Sequence, residues 1–308
     1  MKNTKILVTG GAGYKGIILV KKLLEKGFKV TLLDNFMYGY DSILHIVNEP
    51  NLKIIQLDIR NLNARILSEF DVIYHLAGIS GMPACASNPH SAEIINVDSV
   101  RKINSYLSKE QLLINASTTS LYGVSGSECN ENDEVQPSSI YGSTKYEAEK
   151  IVHDRENAIS LRFATVFGIS PRMRNDLLVN DFTYKAINER AIVIFAGHSK
   201  RTFIHILDAV NAYIFALENT NLMRSNIFNV GDEKLNFSKI DIANIIRKHV
   251  KYEIIDSSLP DLDNQNFLVS FKKIRNLKYN VMYSLEDGIK ELIKLYSVYK
   301  CHSHYKII

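Results

Sequence analysis

Lys5-Ile6-Leu7-Val8-Thr9-Gly10-Gly11-Ala12-Gly13-Tyr14-Lys15-Gly16 carries an apolar run straight into a glycine loop, and the segment that follows has the spacing of a helix. Strand, tight turn and helix in that order present backbone amides at a helix N-terminus to negative charge, and the glycines let a pyrophosphate approach the main chain. Gly10, Gly13 and Gly16 take those positions, with Tyr14 and Lys15 between the last two. A strand-to-helix turn of this kind also occurs without a ligand. Asp34 separates the two readings, because it ends the next apolar run about 20 residues on, where a carboxylate accepts hydrogen bonds from a ribose diol. It would repel a 2′-phosphate, and no arginine follows in Asn35-Phe36-Met37-Tyr38, so the sequence predicts NAD rather than NADP. Asp58-Ile59, past the third run, is placed either to bracket an adenine or to cap a loop.

Outward from this loop, residues 5–9, 29–33, 53–56, 71–75 and 111–115 read as strands, with room for a helix between most of them. They are apolar with little alternation, the pattern of strands buried on both faces of a parallel sheet. Helices are predicted over 13–26, 91–107, 141–156, 206–217, 238–249 and 284–299, several with Asp, Ser or Asn near the start. The predicted fold is α/β, a doubly wound parallel sheet with a smaller α/β lobe. Residues 1–168, completed by 201–230, form the expected cofactor domain; 169–200 and 231–308 form the expected substrate-binding lobe.

The 308 residues and 46% apolar content suffice for a large core. A net charge of +4, with basic and acidic residues interleaved, argues against a nucleic-acid partner. Cys85, Cys129 and Cys301 are far apart and outside any metal-ligand spacing, so free thiols, no metal and a reducing compartment are expected. No run approaches the roughly 18 apolar residues of a membrane span. A cytoplasmic protein without a membrane partner is the expectation.

Tyr141 and Lys145 lie at i and i+4 of a predicted helix, so a phenol and an ammonium share one face. An ammonium beside a phenol favours the phenolate and suits it to proton transfer. Asn115-Ala116-Ser117-Thr118-Thr119-Ser120-Leu121-Tyr122-Gly123 follows the fifth strand, at the sheet edge where open α/β folds place ligands, and supplies hydroxyls to orient an alcohol. Tyr122 and Ser117 either touch substrate or shape the loop.

The glycine loop, Asp34, Asp58-Ile59, His75-Leu76-Ala77-Gly78, the Ser-Thr-Thr-Ser-Leu-Tyr-Gly run, the Tyr141/Lys145 pair and Arg201-Thr-Phe-Ile-His-Ile-Leu-Asp208 together resemble the extended short-chain dehydrogenase/reductases, in their nucleotide-sugar epimerase/dehydratase branch. The resemblance covers nearly the whole chain and implies a Rossmann domain holding NAD. It implies that Thr118 and Tyr141 are catalytic, that Lys145 holds the nicotinamide ribose and tunes the tyrosine, and that Asn35, Leu76, Ala77 and Gly78 also border the cofactor. On the substrate side it implies Ser80, Gly81, Thr118, Thr119, Ser120, Arg174, Asn180 and Arg201 around a nucleotide-diphosphate sugar. Arg172 and Arg174 can grip a pyrophosphate or decorate the lobe surface.

The run 170–184, with Gly81-Met82-Pro83-Ala84-Cys85 and Asn88-Pro89, is similar to a bacterial surface-polysaccharide subgroup that includes GDP-heptose 4-dehydrogenases. A 4-epimerase or 4-dehydrogenase acting on a GDP-heptose-type or UDP-hexose sugar is therefore expected. Dehydratases of the family carry Asp-Glu after the catalytic Thr; here Thr119-Ser120 follows, which disfavours 4,6-dehydration. A non-catalytic NAD-binding regulator is the competing class. Two departures stand out: Lys15 replaces a usual apolar residue, and Gln265 lies where many relatives have arginine. Relatives pair two helices into a dimeric four-helix bundle, so a homodimer is expected.

Overall fold

The structure is a computed structural model describing residues 4–257 and 266–300. Seven strands build the main sheet: β1 (Lys5–Thr9), β2 (Lys29–Asp34), β3 (Leu52–Gln56), β4 (Val72–His75), β5 (Leu112–Thr118), β6 (Ala158–Phe163) and β7 (Asn226–Val230). Their order is β3-β2-β1-β4-β5-β6-β7 and every neighbouring pair is parallel. The chain steps outward from β1 in one direction and returns to its other side with β4. That reversal opens a crevice beyond the carboxyl ends of β1 and β4.

The helices that position the site are α1 (Gly16–Glu25), α2 (Ser99–Tyr106), α3 (Ile140–Val152), α4 (Leu178–Asn188), α5 (Ile206–Glu218), α6 (Lys239–Arg247) and α7 (Leu285–Tyr296). Both faces of the sheet are covered. Ile6, Val8 and Ile114 point into one core with Leu23 of α1 and Tyr213 of α5, while Leu7, Leu113 and Ile73 point into the other with Val152 of α3. Successive strand residues feeding opposite cores explain the absence of polar alternation, and each such side chain contributes roughly 2 kcal/mol of burial.

Two expected elements differ. Strand β5 runs three residues beyond the expected 115, because Ala116, Ser117 and Thr118 stay in register with Leu161, Arg162 and Phe163 of β6. The helix expected over 91–107 is broken into Pro89–Glu93, a π-helical turn Ile94–Asp98, and α2. At that turn the Asn96 amide donates to the Ile79 carbonyl at 3.0 Å and to Thr144 Oγ1 at 3.1 Å, and accepts from the Ile79 N–H at 2.8 Å. A register change in the helix carries Asn96 inward to hold the segment after β4.

A second apolar core gathers Phe167, Phe182, Ile192, Ile242, Ile289 and Tyr296 between α4, α6 and α7. Capping boxes at Ser238/Asp241 and Ser284/Asp287 start α6 and α7. The strand Lys200–His205, which carries Arg201, pairs with Thr165–Phe167 and Asn236–Ser238 in a separate three-stranded sheet. The expected return of residues 201–230 to the main sheet is thus made by β7 alone within that stretch, because the crossing strand Thr165–Phe167 has already left the plane of β6 and takes residues 203–205 as its partner. Gln265 and Cys301 lie outside the described residues, and Cys85 and Cys129 are buried thiols.

Candidate active site

Two adjoining cavities lie at the crevice. The first is bordered by Gly10, Gly13, Tyr14, Lys15, Gly16, Asp34, Asn35, Asp58, Ile59, Leu76, Ala77 and Gly78, together with Tyr38 and Arg172. The second is bordered by Ser80, Gly81, Ser117, Thr118, Ser120, Tyr141, Phe163, Arg174 and Arg201. Tyr14, Lys15, Ser80 and Arg174 border both.

The first cavity is shaped by backbone. Gly10 has φ +68°, and a Cβ there would sit 2.7 Å from the Ala77 nitrogen. A Cβ on Gly16 would sit 2.1 Å from the Gly10 carbonyl oxygen, so only glycine lets α1 begin this close to β1. The turn closes on itself, the Gly13 N–H donating to the Gly10 carbonyl at 3.1 Å and the Ile17 N–H to the Gly13 carbonyl at 3.0 Å. Asp34 accepts from the Ala12 N–H at 3.0 Å and the Phe36 N–H at 2.9 Å, which fixes its carboxylate beside the loop. Burial raises its pKa, and those amides with the charge of Arg172 oppose the rise. Asp58 caps the turn Ile59–Asn61 and pairs with Arg60 at 2.8 Å, which holds its carboxyl down at about 2. A close-packed glycine turn with an anchored carboxylate one strand away fits a dinucleotide.

In the second cavity Tyr141 comes from the first turn of α3, where Ser139 caps the helix by accepting from the Gly142 N–H. Thr118 ends β5, and its hydroxyl accepts from the Ser120 N–H at 3.1 Å. Burial raises the Tyr141 pKa; hydrogen bonding to the Ser80 hydroxyl, the charge of Arg174 and hydrogen bonding to Thr118 pull it back. The sequence expectation of a phenol drawn down by Lys145 thus meets a stronger opposing effect, the loss of water around the phenol. Lys145 is 7% exposed and borders neither cavity. Burial lowers its pKa to about 8 against the raising effect of Glu149, one turn further along α3.

Glu149 anchors a network that the sequence reading missed. It binds Arg162 of β6 through Nη2 at 2.6 Å, both side chains being almost fully buried. Arg162 Nη1 donates to the Tyr122 hydroxyl at 2.7 Å, which donates to Asn229 Oδ1 at 2.9 Å. Tyr122 therefore shapes the wall behind Thr118. An acid three to four residues after Lys145 with an arginine in the next strand was the available signal.

Other residues take different places from those expected. Thr119 turns into the protein where the chain leaves β5 for the turn Thr119–Tyr122, its hydroxyl donating to the Phe163 carbonyl at 3.2 Å. Asn180 is fully buried: Oδ1 accepts from the Gly168 N–H at 3.0 Å and Nδ2 donates to the Arg174 carbonyl at 2.8 Å. It fastens the crossing segment instead of bordering a cavity. Arg172 goes to the first cavity, its guanidinium 4.2 Å from the Tyr38 ring, and only Arg174 reaches the second, with Nη1 3.2 Å from Ser80 Oγ and an ion pair to Asp176. Arg201 borders the second cavity and is 8% exposed.

Residues 6–231 match the family described as NAD dependent epimerase/dehydratase. A protein of Bacillus subtilis (strain 168) named an uncharacterized UDP-glucose epimerase, YtcB, is 29% identical, the match covering 96% of this chain and 99% of that one. The CDP-paratose 2-epimerase of Salmonella typhi is 26% identical over 94% of this chain and 98% of its own. Among solved structures, the UDP-glucuronic acid 4-epimerase of Bacillus cereus, in complex with UDP-glucuronic acid and NAD, superposes with a TM-score of 0.83 at 25% identity, covering 95% and 99% of the two chains. The glycine turn, the carboxylate of Asp34 and a family match spanning the whole main sheet agree: the chain belongs to the NAD-dependent epimerase/dehydratase family, an enzyme family whose cofactor is NAD.

Proposed function

We propose that this protein carries out NAD-dependent oxidoreduction at C4 of a nucleotide-diphosphate sugar, as a 4-epimerase or a 4-dehydrogenase. The observation that carries the reading is the Tyr141 phenol in hydrogen-bonding reach of Thr118 and Ser80 inside a cavity that adjoins the cofactor cleft. Tyr141 takes the proton of the C4 hydroxyl, and Thr118 donates to the sugar oxygen as negative charge develops on it. NAD supplies the hydride acceptor and, in a returning step, the donor. Lys145, one turn along α3 from Tyr141, favours the phenolate in this reading. Arg174, Arg201, Ser80, Gly81 and Ser120 line the cavity where the diphosphate and sugar would lie.

The lobe formed by 169–200 and 231–308 covers that substrate in this reading. A GDP-heptose-type or UDP-hexose sugar of bacterial surface-polysaccharide synthesis, in the cytoplasm, is the proposed setting. Thr119 and Ser120 in place of an acid pair argue against 4,6-dehydration. We also propose a homodimer through α2 and α3, which pack side by side and leave Tyr106 42% and Ile140 39% exposed. Light scattering giving a monomer mass would remove the dimer.

The test is to incubate the protein with GDP-, UDP- and CDP-sugars and follow nicotinamide reduction and the sugar by NMR. A C4-inverted or 4-keto sugar is expected. NAD binding without turnover of any sugar would leave a regulator rather than an enzyme.

A further inference from the structure

Lys15 stands on the glycine loop, yet its ammonium is not held over that loop. It lies 4.1 Å from the ring centroid of Phe163 and 5.7 Å from that of Tyr213. Phe163 is the register partner of Thr118 and borders the reaction cavity, so the ammonium sits on the side of the junction where chemistry takes place. Aromatic faces attract a cation, and they leave its charge uncancelled. Among the described residues no carboxylate pairs with Lys15, and the charged groups that act on it are Lys145 and Arg174, both cations.

We propose that Lys15 discriminates between the redox states of the cofactor, weakening the hold on oxidised NAD relative to NADH. This rests on the oxidoreductase reading above. Hydride transfer requires the reacting carbon of the nicotinamide beside the sugar carbon whose oxygen Tyr141 and Thr118 serve, and Lys15 borders both the cofactor cleft and that cavity. The oxidised ring carries a positive charge and the reduced ring none. A nearby ammonium with no counter-ion therefore costs the oxidised form binding energy and leaves the reduced form unaffected. The consequence is a site poised toward hydride on the cofactor and ketone on the sugar.

Burial first, then Lys145 and Arg174, lower the Lys15 pKa to about 7. The ammonium is then charged below that pH and neutral above it, so discrimination is strong in mild acid and fades in mild alkali. The other groups facing the junction do not imitate this. Tyr14, Tyr141 and Tyr213 have raised pKa values and stay protonated, and Arg174, paired with Asp176, stays charged since its pKa is raised. Arg201, Lys239 and the Asp181–Lys185 pair border the same cavity. Lys145, lowered to about 8, also titrates in this window, and Lys15→Arg, which keeps both Lys145 and a fixed charge at position 15, reads its contribution.

The full-length protein is equilibrated with a fixed mixture of NAD and NADH, without sugar, and the ratio retained on the protein is read by absorbance and nicotinamide fluorescence at about pH 6 and about pH 9. Lys15→Met should shift the retained ratio toward NAD by about tenfold or more at the lower pH and little at the higher. Lys15→Arg should show the parent's low-pH preference at both pH values, since a guanidinium stays charged. An unchanged ratio in Lys15→Met overturns the proposal, as does an equal loss of both forms, which would mean the ammonium grips the pyrophosphate. If Lys15→Met fails to fold, the parent against Lys15→Arg still decides, because a parent ratio that is flat with pH overturns the proposal. The measurement contains no sugar, so failure of the substrate reading does not affect it.

Discussion

Around the glycine loop the cavity is bordered mostly by residues that follow β1, β2, β3 and β4, whereas past Tyr14 and Ser80 it is bordered by Thr118, Tyr141, Arg174 and Arg201 from four separate segments. In the proposed reading the first region takes what every dinucleotide shares, a pyrophosphate and a ribose diol, for which a glycine turn and one carboxylate suffice. The second, in the same reading, would distinguish one sugar and move a proton on it, which takes groups with particular acidities at particular distances. A family can therefore keep the first region while altering the second, and relatives named for 4-epimerisation and 2-epimerisation are equally similar to this chain, each at 26%.

The largest effect should come from separating the two regions chemically. Tyr141→Phe removes the phenolic proton carrier, so kcat should fall about 10³-fold. NAD binding, read by thermal shift, should persist. Residual turnover near the parental rate would take Tyr141 out of the mechanism.

Gly16→Ala breaks the other region, since its Cβ would meet the Gly10 carbonyl at 2.1 Å and the turn must open. At a hundred times its Kd, NAD stabilises the parent by about 2.7 kcal/mol. Most of that gain should vanish from the melting curve of the variant. Full retention would show that the amides of this turn do not hold the cofactor.

A smaller effect should mark the edge of the second region. Arg201→Met should raise KM for the nucleotide sugar about tenfold, the loss of one charge-assisted contact, with kcat and NAD binding little changed. A change confined to kcat would move Arg201 from binding to chemistry.

The two regions also differ in how far the sequence could be read. Gly10, Gly13, Gly16 and Asp34 fall where a local strand–turn–helix pattern puts them, and all of them border the cofactor cavity. The i, i+4 relation of Tyr141 and Lys145 was legible, and so was their helix, though Lys145 is buried, borders neither cavity and is held in part by Glu149. Asn180 and Thr119 carried no local sign that their polar groups would be spent on Gly168, Arg174 and Phe163. The strand bearing Arg201 looked like a return to the main sheet because a short apolar run does not say which edge it joins.

By itself the sequence determined the doubly wound sheet, the glycine turn and the spacing of Tyr141 and Lys145 on one helix, because each depends on periodicity or on residues a few positions apart. Only the tertiary structure decided what surrounds them. The Tyr14 hydroxyl donates to the Gly168 carbonyl 154 residues away, Arg162 closes on Glu149, and Lys15 comes to rest on Phe163 with Lys145 and Arg174 as its charged neighbours. A side chain's acidity and partners follow from the water it loses and the charges it meets, and both are set by packing between distant segments.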